Sequence, residues 1–149
     1  MPPASRTDGA PALPQPPTLV SRCPGCGAVL AATPGIEARH PGASPGCTRL
    51  FDVTVRGLRD EVPRDLRAAQ LVELATTTYD AQHSPDPESL HRLRAALGEG
   101  ARRPVRDTPP RRWRTTVADV AADLDVVDLA VLLRSWAQAV SADWADESS

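Results

Sequence analysis

Four segments of the chain carry apolar residues at three-to-four-residue intervals, and that spacing predicts helices. Phe51, Val55, Leu58 and Val62 fall at i, i+4, i+7 and i+11, a single stripe that Pro63 stops. A second helix over about 64–82 places Ala68, Val72, Ala75 and Tyr79 on one face. Asp86 is the expected cap of a third, because Pro87 suits a first helical turn and Leu90, Leu93 and Leu97 continue the stripe. The last opens on TVAD, a capping-box form at Thr116 and Asp119. It runs through Leu129, Leu133, Trp136, Val140 and Trp144 as the strongest amphipathic helix of the sequence.

The flanking and connecting stretches read differently. Residues 1–20 hold six prolines and no apolar periodicity, the composition of a disordered tail. The stretches AVLA (28–31) and IEAR (36–39) flank TPG, so a short hairpin is expected there, with Gly35 taking the positive backbone angle. Residues 98–114 break the helical pattern with glycines, prolines and six arginines and read as a flexible linker. The expected architecture is mainly α. An N-terminal knuckle and short hairpin, treble-clef-like in order, precede about four helices in a single domain over 21–149.

Composition narrows the function classes. A chain of 149 residues supports one modest core. All 17 basic residues are arginine and lysine is absent, a compositional bias that takes functional weight away from arginine and proline counts. A formal net charge of −2 gives no global attraction to nucleic acid or an anionic membrane. No stretch has the length and apolarity of a membrane span, and the N-terminus lacks the basic-then-apolar order of a secretory signal, so a cytoplasmic location is expected. Three cysteines are an odd number for a disulfide framework. In a reducing compartment, clustered cysteines point to metal or redox chemistry.

The cysteines lie at 23, 26 and 47. In CPGCG (23–27) proline and glycine allow a tight turn that brings two thiolates to one ion, with amide N–H groups aimed at the sulfurs. The stretch SPGC (44–47) ends the same way, but Ser44 stands where a matching cysteine would be. Cys47 is expected immediately before a helix, where the helix dipole favours a thiolate. The nearby imidazole is His40. The expected set is therefore Cys23, Cys26, His40 and Cys47, a closed Cys3His group suited to tetrahedral Zn2+. Water or Ser44 in the fourth position is the alternative to His40. A redox Cys-x-x-Cys would instead need a helix starting at the pair, and Gly27 and a hairpin follow here.

These residues resemble a family of small uncharacterised bacterial proteins, a domain of unknown function. CPGCG, GASPGC (42–47), TYDAQH (78–83) and a late TVAD helix with tryptophans carry the resemblance over roughly 22–146. In that family a histidine usually stands at the position of Ala38 rather than His40. Ser84 replaces the family's proline after the Gln-His pair, and the third helix is more polar here. The resemblance implies no activity.

Beyond the cysteines, Tyr79 and His83 share a helix face, and with His91 from the next helix they form a candidate second site for a metal or substrate. The competing reading is a helix-end histidine meeting the negative end of the dipole and a tyrosine in the core. The arginine run ending in RRWR offers phosphate contacts and a stacking indole at Trp113. Against this, residues 117–149 hold seven acids and the single Arg134, so the run has an intramolecular partner to lie on. No Ser-His-Asp order, phosphate-cradling glycine loop or dinucleotide fingerprint occurs, and no catalytic residue is assigned. The tryptophans of the last helix are expected in the core or at a dimer face. The function expected is a structural-zinc binding or regulatory module with a protein partner. The alternatives are a small metal-dependent enzyme using His83 and His91, or a nucleic-acid-binding zinc protein.

Overall fold

The computed structural model describes residues 20–31, 41–84, 86–99 and 108–145. Its first elements are two three-residue strands, β1 (Val20–Arg22) and β2 (Val29–Ala31), antiparallel with Val20 opposite Ala31 and Arg22 opposite Val29. The connection between them is the CPGCG turn itself. Cys23 N–H donates to Ala28 O at 2.8 Å, Gly27 N–H to Cys23 O at 2.8 Å, and Gly27 supplies the positive φ of 81° that the turn needs. The strand at 28–31 thus pairs with the residues before the knuckle. The partner expected at 36–39 lies outside the described residues.

Helix α1 (Pro45–Glu61) starts earlier than its apolar stripe. Ser44 is its N-cap, accepting from Cys47 N–H at 3.1 Å, and Pro45 occupies the first helical position. Cys47 therefore sits inside the first turn, not ahead of it, and Ser44 is a cap in a place that resembles a missing ligand. Helix α2 (Leu66–His83) is capped by Asp65, and α3 (Pro87–Leu97) by Asp86 as its sequence predicts, with Gly98 left-handed at the exit.

The strongest predicted helix is two. Helix α4 (Val117–Ala122) carries the expected Thr116/Asp119 capping box, but Asp123 O collects the N–H groups of Val126 and Val127 and turns the chain out of the helix. Asp128 then caps α5 (Leu129–Asp143) through Ala130 N–H at 3.1 Å. Five helices result among the described residues, where about four were expected.

Helix α2 is the centre of the fold, packing on α1, α3 and α5. Its C-terminal end is held most firmly. Trp144 Nε1 donates to Ala81 O at 2.8 Å and Trp136 Nε1 to Gln82 Oε1 at 3.3 Å, and both indoles are buried. Trp136 of α5 and Trp144 at its C-cap are thus core residues whose polar edges are satisfied by α2. Gln82 also donates to Thr115 O at 2.8 Å. The described end of the Arg/Pro-rich stretch is tied down. Trp113 Nε1 donates to Gly25 O in the knuckle at 2.7 Å, and Arg114 meets Asp143 through its backbone N–H at 2.9 Å and its Nε at 2.6 Å. No helix among the described residues is long and apolar enough to cross a membrane. Residues 1–19 and 100–107, most of the expected tail and part of the expected linker, lie outside the described residues.

Candidate metal centre

Three elements deliver donor atoms to one point. The knuckle brings Cys23 and Cys26, and the first turn of α1 brings Cys47. At the last turn of α2, which the two tryptophans hold through the Ala81 carbonyl and the Gln82 side chain, His83 completes the group. One donor atom from each of these four residues lies within 4.8 Å of the others. Cys26 Sγ stands 3.9 Å from Cys47 Sγ, and Cys47 Sγ 3.4 Å from His83 Nε2. The four residues are 1%, 6%, 0% and 2% exposed in chain order, so water is excluded from every side of the group. All three cysteines are free thiols.

The orientation of His83 is specified. Its Nδ1 lies 2.8 Å from Tyr79 O, and because a carbonyl can only accept, that nitrogen carries the proton. The lone pair is left on Nε2, the atom facing Cys47. A second-neighbour hydrogen bond of this kind is how metal-binding imidazoles are usually fixed. The ring is also held by stacking on Tyr79, with centroids 4.0 Å apart at 25°. Gly25 closes on the ring and Gly42 on the backbone of His83. A Cβ at Gly25 would lie 2.7 Å from His83 Cδ2, and one at Gly42 would strike the His83 carbonyl oxygen. The Pro-Gly steps around the cysteines are therefore needed for the approach of a histidine far along the chain.

The sulfurs are surrounded by donors. Ser44 N–H points at Cys23 Sγ from 3.4 Å, and the Tyr79 hydroxyl donates to Cys47 Sγ at 3.4 Å. Without an ion the group favours one thiolate at the expense of the other two. Hydrogen bonds from Cys26 and Cys47 hold Cys23 far below the usual thiol range. Cys26 is pushed up to about 12, first by the Cys23 sulfur beside it, and Cys47 is pushed well above the usual range by Cys23 and Cys26, then by burial. Burial foremost, then the Cys47 sulfur, also raises Tyr79, which stays a protonated donor. Three adjacent buried sulfurs can all be thiolates only beside a cation. The residues present fit a metal ion, and a Cys3His group that can hold one is the chemistry of this site.

Of the residues singled out by sequence, Cys23, Cys26 and Cys47 converge. His40 lies outside the described residues. Tyr79 and His83, expected beside His91, close instead on Cys47, while His91 is exposed on α3. The shared face of Tyr79 and His83 was legible from their four-residue spacing, but nothing local to His83 pairs it with a knuckle so far upstream. In the arginine run, Arg114 is engaged by Asp143.

Residues 85–145 match the model of a family of unknown function (DUF5946). The match covers α3, α4 and α5, under half of the chain, and begins just after His83, so all four donors lie ahead of it. It is thus carried by the late helices and not by the cysteine motifs. No curated protein and no solved structure matches the chain.

Proposed function

We propose that the chain is a structural-zinc module, in which Cys23, Cys26, Cys47 and His83 bind one Zn2+ that joins the N-terminal knuckle to α1 and α2. The observation that carries this is the closed set of four buried donors, all within 4.8 Å of one another. Zinc–sulfur bonds of about 2.3 Å and a zinc–nitrogen bond of about 2.0–2.1 Å in a tetrahedron give S···S edges of about 3.8 Å and S···N edges of about 3.5 Å. The observed 3.9 Å and 3.4 Å sit close to both. A disulfide would need sulfurs at about 2.05 Å.

Four protein donors with no coordination position left for water are the mark of a structural site, whereas catalytic zinc keeps a position open. The ion would neutralise the thiolates and supply folding energy; the binding or regulatory work belongs to the surface of the helices it holds. Elemental analysis of the purified chain tests the reading. About one zinc per chain is expected, lost in Cys23→Ser and Cys26→Ser together with part of the helical stability. Full native stability with no metal present would sink it.

A further inference from the structure

Resting on that zinc reading, we infer that Tyr79 is a positioning residue of the centre, oriented by Thr48, and that its hydroxyl sets the charge and reactivity of the Cys47 sulfur. Three thiolates and a neutral imidazole around a divalent ion leave one negative charge in excess, inside a core from which water is excluded. That charge must be spread over hydrogen-bond donors.

Cys23 and Cys47 meet the requirement in two different ways. Cys23 Sγ accepts from the backbone N–H of Ser44 at 3.4 Å. That donor belongs to the backbone and survives any side-chain change. Cys47 is served by a side chain. Its own N–H is committed to the Ser44 cap, and the donor to its sulfur is the Tyr79 hydroxyl. Cys47 is therefore the ligand whose electron density a point substitution can alter.

The hydroxyl proton has a specified direction. Thr48, buried beside Cys47 in α1, hydrogen-bonds the Tyr79 oxygen with its own hydroxyl. A tyrosine oxygen that accepts from Thr48 turns its proton the other way, onto Cys47 Sγ. Hydroxyl chains of this kind reinforce each link. The ring is clamped between Phe51, with centroids 4.3 Å apart, and His83 at 4.0 Å, so the hydroxyl cannot swing away. Tyr79 thus touches the site twice, through its carbonyl to His83 and its hydroxyl to Cys47, and only the second depends on which side chain stands there.

Tyr79→Phe separates the two, removing the hydroxyl while keeping the carbonyl and the stacked ring. Wild type, Tyr79→Phe, Thr48→Val and Thr48→Ser are compared as full chains, by zinc competition against a chromophoric chelator and by the sulfur-to-cobalt charge-transfer band after loading with Co2+. Tyr79→Phe is expected to bind one ion with about tenfold weaker affinity and a shifted band, the scale of losing an outer-shell partner. Thr48→Val should move both readouts in the same direction by less, and Thr48→Ser should restore them. A Tyr79→Phe protein with unchanged band and affinity overturns the inference. If Tyr79→Phe does not fold, identical bands in Thr48→Val and Thr48→Ser overturn it equally. Failure of wild type to take up either metal instead removes the zinc reading itself.

Discussion

Gly25→Ala and Gly57→Ala should change stability in opposite directions. At Gly25 the new Cβ would sit 2.7 Å from His83 Cδ2 and also against the Gly42 carbonyl. Carbon atoms in contact prefer about 3.5–4.0 Å, so the imidazole or the knuckle must retreat by roughly 1 Å. A metal–ligand bond tolerates departures of about 0.2 Å, which makes that retreat incompatible with His83 remaining bound. The substitution should cost about 1–3 kcal/mol as overpacking, before any loss of metal binding is counted. Zinc affinity should fall at least about tenfold. Gly57 has nothing within 4 Å of its added Cβ and lies within α1, so alanine there should stabilise by about 0.5–1 kcal/mol through helix propensity alone. The assay is denaturant unfolding of zinc-loaded protein with metal content measured on each variant. If Gly25→Ala unfolds at the wild-type midpoint with a full complement of metal, the packing of the knuckle on His83 is not what the geometry indicates.

His83→Ala should lower zinc retention sharply in a chelator challenge while His40→Ala leaves it unchanged; the reverse pattern would return the fourth position to His40. Asp143→Ala removes the acceptor of both Arg114 bonds and should cost about 1–3 kcal/mol in chemical denaturation, because a partly buried N–H is left unmatched. Arg114→Ala should cost under about 1 kcal/mol, since its side chain is 63% exposed and the backbone bond survives. Equal losses in the two would show that the side-chain ion pair carries the effect.

What could be read from the sequence was what neighbouring residues decide together. Asp86 and Pro87 predict the start of α3 because cap and first turn are adjacent, and CPGC predicts a pair of convergent thiols for the same reason. The break between α4 and α5 was hidden. Leu124, Val126 and Val127 keep the segment apolar, while the turn is made by backbone bonds to Asp123 and a fresh cap at Asp128. Ser44 looked like a ligand lost from a repeated motif and is instead the cap that places Cys47 in a helix. His83 is the clearest case of what local pattern cannot supply. It meets Cys47 across 36 residues, and only the docking of α2, fixed by indoles from the far end of the chain, brings it there.

The order of the donors along the chain gives the centre a history during synthesis. The knuckle leaves the ribosome first, Cys47 follows, and the imidazole emerges only with the end of α2. Closing the loop to the last donor is entropically cheap, because its 36-residue span and the 21-residue span from Cys26 to Cys47 differ by less than a doubling, about 0.6 kcal/mol at most. Before residue 83 appears, an ion held by the chain would have three sulfurs and a position open to water, the form that catalytic zinc adopts in other proteins. An ion taken up at that stage would occupy an exchangeable, chemically open centre, and the arrival of a helix end would seal it.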